Sequence, residues 1–316
     1  MLKYIIIISL ALVPLFSCVA RIYRIIEKKE YKAIEVEYVN GELPEDDLVL
    51  WLGHSSFLIR LKGVTFYTDP VLFDKVVIIN RLIPFPIERE KLPAPDFILI
   101  SHNHYDHMDI PSLRFLEEKA RKEKKKLYVF VPERASYYTK DENFITIEMP
   151  WESEYEIKGL NIKSIKVKHF SGRGLFDWNF SLWNAYLISS DDFKILFMGD
   201  TAYIKLPELN PDLVLAPIGA WQPRWFMKRN HVSPCEAVQM TKETGGKIMF
   251  PMHYGTFRQG ADTPQESIEY MIECAEKFGV NYYIPKAGQA LTTSYIASLI
   301  RDKLAQKQNE QTYKTE

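Results

Sequence analysis

The sequence predicts an α/β domain. Short apolar runs rich in β-branched and aromatic residues alternate with capped, amphipathic segments, and four of those runs end just before a histidine or an aspartate. Loops that follow strands in a common sheet gather on one face, so the second feature ties the fold to a site. At 316 residues the chain can bury a sizeable core in a single two-layer domain with long loops. It is 47% hydrophobic with a formal net charge of -1, which signals neither a nucleic-acid binder nor an acidic tail.

The amino terminus stands apart. Met1-Leu2-Lys3 carries one positive charge, Tyr4 to Phe16 is apolar, and Ser17 precedes Cys18. The pattern resembles the lipobox of bacterial lipoproteins, which implies cleavage before Cys18 and a lipid on that cysteine. The alternative is an uncleaved signal anchor, near the lower length limit for spanning a bilayer. Either way the domain is expected to be exported and held at a membrane surface, facing the periplasm or cell exterior. The expected divisions are residues 1–18 as signal or anchor, 19–47 as linker or edge element, 48–300 as the folded domain and 301–316 as a fraying polar tail. Cys235 and Cys274 remain; they can pair in an oxidising compartment, although two separated cysteines are more often buried thiols.

Along the domain, Leu48–Leu52, Ser56–Leu61 and Val64–Thr68 read as successive strands, with Lys62-Gly63 as a hairpin turn. The proline-rich stretch Ile83–Pro95 has no periodicity and reads as a loop. It leads to Phe97–Ile100, a short continuous run expected of a strand covered on both faces. Ile110–Lys126 carries Leu113, Leu116 and Ala120 at helical spacing, and Lys124-Lys125-Lys126 reads as a solvated helix end, with a membrane-facing role as the lesser reading. Further strands are expected at 127–131, 144–147, 160–167, 185–188, 195–198, 213–216 and 248–250. Ser233-Pro234-Cys235-Glu236 and Thr263-Pro264-Gln265-Glu266 have the form of capping boxes, the second opening a helix that stops at Gly279.

The chemistry is concentrated in His102-Asn103-His104-Tyr105-Asp106-His107, directly after the central run. His102 and His104 can converge on one ion from a turning backbone, while Asp106 and His107 offer a carboxylate and an imidazole to a second. Strands expected to end at Val167, Met198 and Phe250 deliver His169, Asp200 and His253.

Together these residues resemble the metallo-β-lactamase superfamily, over roughly Leu48 to Ala290. Trp51-Leu52-Gly53-His54-Ser55, Thr68-Asp69-Pro70, Gly199-Asp200-Thr201-Ala202-Tyr203, His231-Val232-Ser233-Pro234 and His253-Tyr254-Gly255-Thr256-Phe257 are similar to its branch of phospholipases D that hydrolyse N-acylphosphatidylethanolamine. The resemblance implies an αββα sandwich, two mixed sheets between helical layers. It implies two divalent ions, Zn2+ first with Mn2+ or Fe2+ as alternatives, one held by His102, His104 and His169, the other by Asp106, His107 and His253. Asp200 would bridge them.

The implied reaction is attack of a bridging hydroxide on the phosphorus of a phospholipid or related phosphodiester, since paired ions acidify water and stabilise both attacking and leaving oxygens. Asp106 and His231 are the residues expected to take part in catalysis itself, His231 by binding phosphate or assisting proton transfer. His54 is expected to orient a ligand or the Asp69 turn, or else to be a hydrogen-bonded structural histidine. The loop Trp221–Asn230 interleaves aromatic and basic residues; as an interfacial element it would put Trp221, Trp225 and Phe226 among acyl chains with Arg224, Lys228 and Arg229 at phosphate, and the alternative is an ordinary aromatic-rich loop packed on the domain. The competing functions are a lactonase or esterase acting on a soluble substrate and a non-catalytic metal-binding lipoprotein. No oligomeric state can be read from these patterns.

Overall fold

A computed structural model describes residues 30–313 of the chain, with side chains through residue 305. The amino-terminal signal or anchor lies outside the described residues, and no helix among those residues is long and apolar enough to cross a membrane.

Strands β1 (Leu48–Gly53), β2 (Ser56–Leu61) and β3 (Val64–Thr68) form an antiparallel meander. A small hairpin, β4 (Lys75–Val76) with β5 (Ile79–Asn80), projects after it. Then come β6 (Phe97–Leu99), helix α1 (Ile110–Lys122), β7 (Tyr128–Pro132) and β8 (Ile145–Met149), with β6, β7 and β8 parallel. With β15 (Ala290–Thr292) these make a seven-stranded mixed sheet in the order β15-β1-β2-β3-β6-β7-β8. Strands β9 (Glu154–Ile157), β10 (Leu160–Lys166), β11 (Asn184–Ser189) and β12 (Lys194–Phe197) run antiparallel. Parallel β13 (Leu213–Pro217) and β14 (Ile248–Met252) complete a six-stranded mixed sheet.

The side-chain period of two builds the layers from single strands. Phe97 and Leu99 of β6 belong to the core between the sheets, with Ile162, Phe197, Leu215 and Phe250 from the opposite sheet. Ile98 and the following Ile100 point the other way, into a second core with Leu113, Leu116 and Ala120 of α1. On the far side, helices α2 (Pro234–Glu243) and α3 (Pro264–Phe278) contribute Ala237, Val238, Met271 and Ala275 to the larger core. The architecture is the expected αββα sandwich. Both capping boxes are formed: Ser233 Oγ accepts from Glu236 N at 3.3 Å and Thr263 Oγ1 from Glu266 N at 3.2 Å, each glutamate reaching back to its cap.

Of the two readings of residues 19–47, the described part follows the edge element: Ile34 and Val36 pack on the core, Val36 bridges to Ala287 and Val39 to Ile87, and Glu37 N donates to Ala287 O at 2.8 Å. Elsewhere the structure departs from sequence expectation. Residues 301–313, expected as part of a fraying tail, continue a helix: α4 (Thr293–Tyr313) is anchored by buried Ile296 and Ile300, a pattern too short in sequence to outweigh the polar remainder. Helix α1 stops at Lys122, and Lys124 turns left-handed (φ 57°), so Lys124 to Lys126 lie beyond the helix. Strand β9 has no apolar signature in the sequence, because its edge position leaves Glu154, Tyr155 and Glu156 exposed. Cys235 and Cys274, for which buried thiols were the commoner reading, form a disulfide with 5.3 Å between Cα atoms, joining the first turn of α2 to α3.

Candidate metal centre

The loops after β6, β10, β12 and β14 meet at one end of the sandwich, because those strands present their carboxyl ends on the same side. Glycine permits the closest approach. A Cβ on Gly199 (φ 57°) would lie 2.6 Å from Ser101 Cβ, so only glycine lets the β12 loop deliver Asp200 against the β6 loop. Three non-glycine residues of the site are held in the left-handed region: His54 (φ 55°), Asp69 (φ 34°) and His253 (φ 60°). Such backbone strain persists only where surrounding contacts dictate it. Here His54 O accepts from His253 N at 3.0 Å and Asp69 N donates to Leu99 O at 2.9 Å.

Hydrogen bonds on the outer ring nitrogens decide which lone pairs face inward. Asp69 accepts from Ser101 N at 2.7 Å and from Ser101 Oγ at 2.5 Å. With its proton so placed, Ser101 Oγ accepts from His102 Nδ1 at 2.9 Å, and His102 Nε2 is left as a lone pair. His169 Nδ1 donates to the Asn230 carbonyl at 2.8 Å, turning its Nε2 inward in the same way. His104 Nδ1 lies 2.7 Å from His102 Nε2 and 3.4 Å from His169 Nε2, so three imidazole nitrogens converge on one point. That arrangement suits one ion.

A second convergence adjoins it. His107 Nδ1 donates to Asp69 Oδ2 at 2.6 Å, while its Nε2 lies 3.2 Å from Asp106 Oδ2 and 3.3 Å from Asp200 Oδ2. His253 Nε2 is 3.1 Å from Asp200 Oδ2 and 3.8 Å from Asp106 Oδ2. Despite these distances, His107 Nε2, both His253 nitrogens and Asp200 Oδ1 are buried without a hydrogen-bond partner. Buried polar atoms that converge without bonding one another are costly unless something else sits among them, and a cation fits this donor set. Asp200 Oδ2 is also 3.8 Å from His169 Nε2 and from His231 Nδ1, so one carboxylate touches both groups.

Electrostatics follow from burial and proximity. Burial holds His102 and His169 well below the usual imidazole range and pushes His104 and His231 down to about 4. These rings are neutral near pH 7, as metal ligands must be. Burial pushes the Asp106 and Asp200 carboxyls up, but the neighbouring histidines outweigh it and both lie well below the usual range. His107 goes the other way: burial depresses it, yet Asp200, Asp106 and Asp69 together raise it well above an ordinary histidine.

All seven expected ligands and His231 are thus brought together, and His54 joins them by donating from Nε2 to Asp106 Oδ2 at 2.8 Å. Three supporting residues were not singled out from sequence. Asp69 was placed only in the stretch Thr68-Asp69-Pro70 and as a turn for His54 to orient, and Ser101 was given no role. Gln259 Nε2 donates to Asp106 Oδ2 at 2.6 Å and had no local signal at all. The loop at 221–230 divides between the two expected readings. Trp221 donates to Ser267 Oγ at 3.0 Å and Arg224 is tied to Glu236 and His231 O, so both serve the domain, leaving Trp225 and Phe226 outward.

Residues 65–254 match the family model described as Beta-lactamase superfamily domain. The chain is 32% identical over 250 residues to a Caenorhabditis elegans protein named N-acyl-phosphatidylethanolamine-hydrolyzing phospholipase D 1, covering 72% of this chain and 67% of that one. It is 30% identical to a Saccharomyces cerevisiae protein named N-acyl-phosphatidylethanolamine-hydrolyzing phospholipase D, mitochondrial, covering 76% of this chain and 54% of that one. Among solved structures, a metallo hydrolase from Ignicoccus hospitalis shares the fold, with a TM-score of 0.58 at 21% identity over 78% of this chain and 97% of that one. Donor set, fold and family match agree: the chain belongs to the beta-lactamase superfamily and is a metallo-hydrolase of that superfamily.

Proposed function

We propose that the chain is a membrane-tethered phosphodiesterase that uses two divalent ions, Zn2+ foremost, to cleave N-acylphosphatidylethanolamine or a related phospholipid in the manner of a phospholipase D. The observation that carries the reading is the pair of adjacent donor groups sharing Asp200, His102/His104/His169 on one side and Asp106/His107/His253 on the other. The names of the worm and yeast relatives point to the substrate class. The apolar segment at residues 4–16 and the disulfide support export to an oxidising compartment and a tether at the membrane.

When bound, two such ions supply a water acidified toward neutral pH and positive charge beside a phosphate. The chain's own residues do the rest. Asp69, Ser101 and the Asn230 carbonyl hold three imidazoles in the tautomer that aims a nitrogen inward. His54 and Gln259 both donate to Asp106 Oδ2 and fix its carboxylate. His231, half-buried and 3.8 Å from Asp200, is the group that would offer a phosphate oxygen or leaving group a neutral donor.

A cavity of about 390 Å³ opens beside His104 and Asp106, walled by Phe170, Phe257 and the β4–β5 hairpin. Its apolar walls suit acyl chains better than a small polar ester. The test is hydrolysis of N-acylphosphatidylethanolamine in mixed micelles by the chain with its metal content measured. About two ions per chain, with product formation that a chelator abolishes, supports the reading. Two ions without cleavage of this lipid or of a bis-aryl phosphodiester would turn it toward an ester or lactone substrate.

A further inference from the structure

The cavity continues outward into two apolar lips on separate parts of the chain. One is the tip of the β4–β5 hairpin, where Val77 and Ile78 are 61% and 81% exposed. The other is the loop after His169, which meets the cavity through Phe170 and through Tyr105, whose hydroxyl donates to Arg173 O at 3.0 Å; farther along this loop Leu175 and Phe176 are 91% and 99% exposed. Single exposed apolar residues need no explanation, but four on two lips of one cavity do.

The second lip is braced rather than loose. Arg173 N and Gly174 N donate to Asp177 at 2.9 and 2.8 Å, and Tyr138 Oη donates to the same carboxylate at 2.7 Å. The Arg173 guanidinium donates to Asn103 O at 3.0 Å and Met108 O at 2.7 Å, which locks the loop to the metal-ligand segment. From the tip inward, Trp178 stacks on Phe170 at 4.6 Å and Phe170 packs edge-on to His104 at 4.4 Å. An apolar track therefore runs from the exposed Trp178, two residues past Phe176, to a residue of the donor set.

The start of the described chain gives the orientation. Tyr31 sits against Gly255 and within 5.3 Å of Arg258, in the same loop that sends Phe257 and Gln259 to the cavity. Thirteen residues separate the apolar run ending at Phe16 from Glu30. They span at most about 45 Å, which bounds how far from the Phe257–Gln259 side of the cavity a membrane holding residues 4–16 can lie.

We propose that the hairpin tip Val77-Ile78 and the loop tip Leu175-Phe176 insert together into the lipid surface that holds the amino-terminal segment, so that a lipid passes along Trp178 and Phe170 to the metal centre without crossing water. This deepens the membrane-phospholipid reading and rests on it. The occupant is a bilayer, because the lips are aromatic and aliphatic, lie at the mouth of an apolar cavity, and stand beside the end of the chain that leads to the apolar segment.

The test uses the full chain reconstituted in phosphatidylcholine–phosphatidylethanolamine vesicles, with an environment-sensitive fluorophore on Ile78→Cys, Phe176→Cys or the exposed control Asp192→Cys, which precedes β12 at the opposite end of the strand. The unsubstituted chain, labelled in parallel, accounts for any signal from Cys18. Expected is loss of emission at 78 and 176 when doxyl lipids are included, with shielding from aqueous iodide, while 192 responds only to iodide. Labels at 78 and 176 that behave like 192 overturn the proposal. Shielding from iodide without doxyl quenching also overturns it, because the chain's own amino-terminal segment would then cover the lips. The readout needs no turnover, so inserted lips on a protein that cleaves no phosphodiester would refute the proposed reaction and leave the docking surface standing.

Discussion

The two halves of the candidate metal centre are built from opposite materials. The pocket of His102, His104 and His169 is neutral, and its outer hydrogen bonds go to a hydroxyl and a backbone carbonyl. The pocket of Asp106, His107 and His253 is charged, and its outer bonds go to the fully buried Asp69 carboxylate, to His54 and to Gln259. The difference teaches that the two sites answer differently to protons and to loss of support. An ion taken up by the charged pocket would have to displace a proton from His107, whereas the neutral pocket's imidazoles are already bare near pH 7.

The largest effect is expected where the halves meet. Asp200→Ala removes the carboxylate common to both, and turnover should fall by roughly a thousandfold or more, about 4 kcal/mol of barrier, with loss of at least one ion. Elemental analysis and initial rates on one sample check it. His231→Ala should lower turnover by about a hundredfold while leaving metal content unchanged; loss of metal would make His231 a ligand instead.

Asp69→Asn tests the charged pocket alone. It keeps the shape beside Ser101 but takes the charge from His107, and should weaken one ion's binding by about 10- to 100-fold while the other is retained. Competition with a fluorescent chelator resolves the two affinities. Gln259→Ala removes one of two donors to Asp106, and the same titration should show a smaller loss, about tenfold or less.

Acid gives the mildest separation. His107 lies well above the ordinary histidine range, so protons compete for the charged pocket first, and its ion should leave as pH falls. His104 is pushed down to about 4, so the neutral pocket should keep its ion until the pH approaches that value. Metal retained after dialysis at stepped pH should therefore drop in two stages, and a single stage would contradict the asymmetry.

The same contrast explains what could be read from sequence. His102 and His104 lie two positions apart on one turn, so the neutral pocket announced itself locally. His169, Asp200 and His253 were legible because each follows a strand, and strand ends gather in an α/β fold. The charged pocket's supports are set by distant pairings: His107 to Asp69 spans 38 positions, Asp106 to His54 52, and Asp106 to Gln259 153. No local pattern marks Gln259, whose role exists only once the loop after β14 folds over the β6 loop. The fold was legible where hydrophobic runs are long and caps complete, as at α2 and α3. It was not where elements are short or at an edge, as at β9 and β15, or where two buried isoleucines anchor a polar helix, as in α4.

The most direct test of the paired pockets is an anomalous-difference map from crystals of the Zn2+-loaded protein. Two peaks roughly 3.5 to 4 Å apart are predicted. One should lie among His102 Nε2, His104 Nδ1 and His169 Nε2, the other by Asp106, His107 and His253, with Asp200 reaching both. A single peak, or one seated on His169, Asp200 and His231, would contradict the assignment and with it the proposed dinuclear chemistry.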